Sequence, residues 1–293
     1  MASLGDEIAR RGLAWIAGHH AEFRVPLDAG PPRFFLGLKM VAELAQTADV
    51  LLQYGVGDPA VLRSWIERGW RELRGGDLLA RAIAAHEDLI LLATAYVPFH
   101  RHGMASRAVE EVIRERGARA VVAPARRFYL AWALDALGME SPVPFGEALR
   151  ASPLGAPRDL AAPGWEEAYG FTHAVFYATG WGLRRADLPG DIAAHLPQDL
   201  PIWLGWCERN GKIDLLAELI MVAHCIGEAC APTSAWRALA AAQDPDGMVS
   251  ESAGEDAHPL GTDDRARNRV LRNFHPTLVA ITAGAMCRHE ETR

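Results

Sequence analysis

The sequence predicts an all-α fold, an (α/α)6 toroid of about twelve helices, six inner and six outer. Three observations point there. Hydrophobic residues recur at helical spacing along nearly the whole chain. Alternating apolar runs bounded by hairpin turns are absent, and the β-like fragment 120–123 is too short to build on. Strongly apolar helical segments alternate with more polar ones at a period of about 45 residues. A helix apolar around most of its circumference must be buried on most sides, and an intervening helix with a polar face sits outside it. Six such pairs close into a ring around a pocket. An open α-solenoid follows from the same repeat logic; the closed ring is preferred because no dedicated capping repeat is marked and the count stops at six pairs.

Each element has a local reason. Residues 5–21 read as an amphipathic helix, and Pro26, Pro31 and Pro32 mark the loop after it. The strongly apolar stretch 34–54 is the first inner helix, ended at Gly55 and Gly57. Asp58 caps a helix over 59–73, with Pro59 at its first position. Gly75 and Gly76 end that helix, and Asp77 caps the second inner helix, 78–96. Ser106 opens a charged helix over 106–117, acids early and arginines late, as the helix dipole prefers. Residues 125–137 are the third inner helix, stopped by Gly138, and a Pro-rich stretch with a short helix near 145–151 follows. Inner helices are also expected over the aromatic-rich 165–179, over 213–228 and over 276–288. Outside them lie 191–209, broken by Pro197 and Pro201, and the amphipathic 233–243. The polar, acidic stretch 244–270 reads as a surface loop or lid over one domain spanning 1–293.

Composition narrows the function classes. Half of the 293 residues are hydrophobic, enough for a large core. A net charge of -7 on a well-mixed surface argues against nucleic-acid binding, which needs a basic stripe. Cys207, Cys225, Cys230 and Cys287 form no Cys-x-x-Cys pair, which fits a reducing compartment. The first residues carry acids and no apolar leader, and no apolar run reaches the ~18 residues of a membrane span. A cytoplasmic protein without membrane or nucleic-acid partners is expected.

Polar residues on apolar helices are the site candidates, because burying them unpaired costs several kcal/mol and a ring of helices brings them together at its axis. Lys39 and Glu43 are four apart and share a helix face; they line a cavity as a charged pair, or form an ordinary intrahelical ion pair. His173 and Tyr177 share another face, with Trp181 a turn further, as acid–base group and aromatic wall or as core residues; Thr172 and Thr179 add polarity to the same helix. Asp214 and Glu218 are again four apart. Asp214 also suits a helix start, and Glu218, among leucines and Ile220, is expected to have a raised pKa unless a cation meets it, which makes it a general acid–base candidate. His275 precedes Pro276 and is expected at a helix start, where the dipole favours neutral imidazole, suited to a base. Glu87, within the run His86-Glu87-Asp88, and Arg127, near Tyr129, complete the set. His224 reads as a core residue. Trp65 and Trp70 read as core, with a partner-docking stripe as the alternative.

No His-Glu-x-x-His, P-loop, Gly-x-Ser-x-Gly or dinucleotide fingerprint is present, so neither metal nor cofactor is expected. A three-histidine metal site from His173, His224 and His275 is the remaining geometric alternative.

Two resemblances add to this reading. The segment Trp236-x-x-Leu-x-x-x-Gln243-x-x-Asp246-Gly247 resembles a turn that ends outer helices in the terpenoid cyclase and protein prenyltransferase toroids, with Met248 where an aromatic often follows. Neither the Asp-rich motif of those cyclases nor the zinc-ligand pattern of those transferases is present. The phrases Thr172-His173-Ala174-Val175-Phe176-Tyr177-Ala178-Thr179, Asp214-Leu215-Leu216-Ala217-Glu218-Leu219 and His275-Pro276-Thr277-Leu278-Val279 are similar to those of an uncharacterised actinobacterial family of toroidal look. That resemblance implies a setting in natural-product pathways and no established activity. Gly180-Trp181-Gly182 departs from its pattern, which has an Asp before the second glycine.

The expected function is a cofactor-independent biosynthetic enzyme of cyclase, lyase or isomerase type. Glu218, His173, Tyr177 and His275 would be catalytic, and Lys39, Glu43, Glu87, Arg127, Thr172 and Asp214 would bind a small-molecule substrate, delivered free or on a carrier protein. The alternative is a non-catalytic binding or partner subunit of a hetero-oligomeric complex with a related toroid.

Overall fold

The computed structural model describes residues 3–155, 165–185, 188–227, 231–250 and 264–291, with the backbone alone for 87–89, 165–167 and 288–291. Fourteen α-helices and no strand lie among the described residues. They are α1 (Leu4–His19), α2 (Pro31–Tyr54), α3 (Pro59–Glu72), α4 (Asp77–Ala85), α5 (Ala93–Arg101), α6 (Arg107–Gly117) and α7 (Arg127–Ala136), followed by α8 (Phe145–Arg150), α9 (Trp165–Thr179), α10 (Gly190–Ala193), α11 (Leu196–Asn210), α12 (Ile213–Ile226), α13 (Thr233–Ala241) and α14 (Arg265–Glu291). The fold is all-α.

The cap chemistry follows the sequence. Ser3 and Asp6 form a reciprocal capping box at α1, each 3.2 Å from the other's backbone N–H. Asp58 accepts the Ala60 N–H at 2.8 Å and starts α3, and Ser106 caps α6. Asp77 differs: it is the first residue of α4, and the cap position belongs to Gly76.

Six helices pack in a cycle. α2 packs on α5, α5 on α7, α7 on α9, α9 on α12, α12 on α14, and α14 back on α2. Five others lie against this set: α1 and α13 pack on each other and on α14 and α12 respectively, α3 on α2, α8 on α7 and α11 on α12. This order of neighbours is compatible with the expected toroid. No described helix is long and apolar enough to cross a membrane.

Two expected inner helices are redrawn. The stretch 78–96 is not one helix: the chain extends at His86 (φ -151°, ψ 145°), and α5 rather than α4 packs on α2 and α7. The last helix does not begin at 276; α14 starts at Arg265 and carries Pro276 inside it. Proline removes one helical N–H and leaves the rest of the ladder to hold. The expected loop over 244–270 therefore ends by Arg265, and its segment 251–263 lies outside the described residues.

The α1–α14 contact is a backbone approach. A Cβ on Gly284 would stand 2.3 Å from the Gly5 carbonyl oxygen, so only glycine fits there. The Gln243-x-x-Asp246-Gly247 turn completes this corner. Gln243, buried, donates from its amide to the Ile8 carbonyl at 3.0 Å and the Gly247 carbonyl at 2.9 Å. Arg269 of α14 reaches Asp246 at 2.6 Å and Asp244 at 2.8 Å. The motif thus fastens the end of α13 to both α1 and α14.

Candidate active site

α12 is apolar apart from Asp214, Glu218 and His224, and all three are buried. Glu218 is met by two imidazoles. His173 Nε2, from α9, lies 3.3 Å from its Oε1, and His275 Nε2, from α14, lies 3.9 Å away. The Thr172 hydroxyl donates to its other oxygen. Burial pushes the Glu218 pKa up, but His173, His275 and the Thr172 bond outweigh it and hold the carboxyl below its ordinary value. The imidazoles thus supply the stated exception to the raised pKa of a buried acid: Glu218 is a carboxylate, a base or counterion rather than a stored acid.

His275 bridges three acids. Its Nδ1 is 2.7 Å from Glu43 Oε2 on α2, and its Nε2 is 3.5 Å from Asp214 Oδ1. Burial disfavours its charged form, yet Glu43 and Asp214 prevail and raise its pKa to about 9. The expectation of a neutral imidazole at a helix N-terminus fails because Pro276 lies inside α14, so the ring meets carboxylates instead of a dipole end. Glu43 is correspondingly lowered to about 2, burial opposing and His275 and Lys39 prevailing. Lys39 Nζ, half exposed, stands 3.5 Å from Glu43 Oε1 and is raised by it.

Tyrosines finish the network. The Tyr129 hydroxyl is 2.7 Å from His173 Nδ1, and burial followed by the nearby Glu218 charge raises the pKa of that phenol. The protonated phenol can therefore donate to Nδ1 whenever that nitrogen carries no proton, which leaves Nε2–H to face Glu218. The Tyr169 hydroxyl donates to Asp214. Tyr177 stacks on Trp132, ring centroids 4.2 Å apart, and burial raises its pKa so far that it keeps its proton. It forms an aromatic wall.

Part of this network borders a cavity of about 140 Å3. Glu43, His173, Glu218 and His275 line it together, and Val50, Trp181, Met221 and Leu278 give it an apolar part further along the same helices. Trp181 has φ 54°, a left-handed conformation uncommon for a bulky residue. It is held there by the Tyr54 hydroxyl, which donates to its carbonyl, and by its own N–H to the Phe176 carbonyl at 2.8 Å. The indole thereby lines the cavity wall.

The sequence-predicted residues Lys39, Glu43, Thr172, His173, Tyr177, Asp214, Glu218 and His275 are thus brought together. Arg127 is not among them: it sits at the exposed start of α7 and its Nε donates to the Val122 carbonyl at 3.0 Å. The side chain of Glu87 lies outside the described residues. His224 is drawn elsewhere, its Nε2 3.0 Å from the Tyr54 hydroxyl, so the three-histidine combination is divided. Among the described residues no group of three or more His, Cys, Asp or Glu side chains is placed to hold a metal ion.

Two features escaped the sequence reading. Tyr169 lies four residues before His173, a spacing that does reveal the shared face. Asp49, almost fully buried, pairs with Arg101 and His102 at 3.0 Å each, and no local pattern announced it.

The chain belongs to the family described as Domain of unknown function (DUF6895), whose model matches residues 9–285. No curated protein and no solved structure matches the chain.

Proposed function

We propose that this cavity is the acid–base active site of an enzyme that rearranges a small, partly apolar molecule without a cofactor, by cyclisation, elimination or isomerisation. The observation that carries the reading is the meeting of Glu43, Glu218, His173 and His275, drawn from four helices, at one cavity whose other part is apolar, with Asp214 behind His275. Two cations, Lys39 and His275, face three carboxylates, so the proton that His173 gains from the substrate brings the set to neutrality. His173 takes a proton from the substrate, Glu218 stabilises the imidazolium formed, and Tyr129 keeps the ring oriented. The His275 imidazolium faces the cavity as a fixed positive charge for an oxyanion or enolate developing on the substrate. The apolar walls exclude water and position the reactive atoms. The sequence resemblances support a terpenoid-cyclase-like toroid and a place in cytoplasmic natural-product biosynthesis, with the substrate free or carried by a protein.

The test uses mass balance. Wild-type protein and a folded Glu218→Gln variant are incubated with the small-molecule extract of the source cells and compared by mass spectrometry. The proposal expects a compound consumed by wild type alone, with a product of equal mass or lighter by one water. If wild type consumes nothing that Glu218→Gln leaves behind, the acid–base reading fails.

A second reading, a non-catalytic binding or partner subunit, is favoured by one observation: about 140 Å3 is below the few hundred Å3 of common ligand sites. It expects a stable complex with a related chain, unchanged by Glu218→Gln.

A further inference from the structure

One polar side chain at the cavity stands apart from the network around it. Gln46 lines the cavity, and its buried amide nitrogen has no hydrogen-bond partner among the described residues. Its neighbours on α2 show the contrast. Glu43, one turn earlier, pairs with His275 at 2.7 Å and with Lys39 at 3.5 Å. Gln53, two turns later, donates from its amide to the Asp49 carboxylate at 3.0 Å. A buried N–H without an acceptor is costlier than an apolar group of the same shape in its place. Gln46 therefore holds a donor that the folded chain itself does not use.

Its place on the helix says where the acceptor comes from. Glu43, Gln46, Thr47 and Val50 follow one another at helical spacing, and all four line the cavity. Gln46 thus stands between the charged end and the apolar end.

The charge of the cavity limits the acceptor. The lining carries two carboxylates, Glu43 and Glu218, both held ionised, against the His275 imidazolium. The balance is negative, so an anionic acceptor is repelled. An ammonium suits that balance but brings no acceptor for the Gln46 N–H. An uncharged carbonyl meets both conditions. Size sets the scale of the molecule: about 140 Å3 is close to the roughly 150 Å3 of a protein cavity that holds benzene, a molecule of about six non-hydrogen atoms.

We infer that the cavity takes an uncharged carbonyl compound, an amide or ketone, whose oxygen accepts from Gln46 Nε2 and whose hydrocarbon part lies against Val50, Met221 and Leu278. The inference rests on the reading of this cavity as a small-molecule site and adds the class of molecule to it. A carbonyl also acidifies the hydrogens on the carbon beside it, the kind of proton that an imidazole base removes.

Calorimetric titration of the full chain near pH 7 with isobutyramide, isobutyrate and isobutylamine tests it. The three share a branched hydrocarbon and differ in charge, being neutral, anionic and cationic at about that pH. Isobutyramide is expected to bind more tightly than either ion, by about tenfold over isobutyrate. Gln46→Met, unbranched and of similar length, should weaken isobutyramide about tenfold. Its melting temperature should be unchanged or higher, because the substitution removes a donor left unmatched in the fold; a purely structural glutamine would lower it. In Glu218→Gln, with one lining charge gone, the preference over isobutyrate should narrow. Absence of saturable isobutyramide binding, equal binding by Gln46→Met, tighter binding of either ion, or a preference unchanged in Glu218→Gln overturns the inference. The expected binding pattern without turnover of any compound sinks the acid–base reading alone, and turnover by wild type without this pattern sinks the present inference alone.

Discussion

His275 Nδ1 lies 2.7 Å from Glu43 Oε2, across 232 positions of sequence. The pair sets the pH range of stability. Glu43 is lowered from 4.5 to about 2, so its contribution is fully present above pH 4.5 and is lost as pH falls toward 2. His275 is raised from 6.5 to about 9, so its contribution is fully present below pH 6.5 and is lost as pH rises toward 9. The melting temperature is expected to be highest between about pH 4.5 and 6.5. Glu43→Gln should flatten the alkaline limb, removing on the order of 2 kcal/mol of pH-dependent stability. An alkaline limb unchanged in Glu43→Gln would mean that the ion pair does not form in solution.

Tyr129 holds one side of the His173 ring. In Tyr129→Phe the Nδ1 partner is lost, and the ring should sample both neutral tautomers. Nitrogen-15 chemical shifts of the imidazole report this directly: wild type should show a protonated Nε2, and the variant a mixture. Stability should fall by about 1 kcal/mol, the scale of one hydrogen bond. Identical shifts in the two proteins would leave Tyr129 with no orienting role.

Gly284→Ala should be among the most destabilising single substitutions outside the site. The added methyl would stand 2.3 Å from the Gly5 carbonyl oxygen, a backbone atom that moves only if α1 moves. A loss of about 1–3 kcal/mol is expected, measured by urea unfolding. Gly18→Ala, where nothing lies within 4 Å of the added Cβ, should be neutral or slightly stabilising and serves as the control.

Gln243→Leu should separate structure from chemistry. It leaves the Ile8 and Gly247 carbonyls without their amide donor, a cost of about 1–3 kcal/mol in a buried setting. Because the turn is a fastening and not a site, any turnover should persist in the folded fraction. Loss of turnover in a fully folded Gln243→Leu protein would assign this motif a second role.

Much of the helical pattern was legible for one reason: α2, α9 and α12 are apolar on most faces, and such segments are unambiguous in sequence. The pairs Lys39/Glu43 and Asp214/Glu218 were legible because a helix turns four-residue spacing into adjacency. What could not be read was anything carried between helices. Nothing local to His275 shows that Glu43 and Asp214 neighbour it, and without them Pro276 suggested a helix start and a neutral ring. Arg127 failed for the opposite reason: it belongs to an apolar segment, but as its first residue it can turn back to Val122 and into solvent. Leu and Ile around 89–92 hid the break at His86, because hydrophobicity alone does not distinguish one long helix from two short ones.

Packing of α14 against α2 has a temporal consequence. During synthesis α2 leaves the ribosome more than two hundred residues before α14 does, and until α14 docks Glu43 lacks the imidazolium that keeps it ionised in the interior. Contacts of such long sequence separation form late in folding. The Glu43–His275 contact is therefore a late one, and a nascent polypeptide that has not yet docked α14, however much helix it has already formed, does without it.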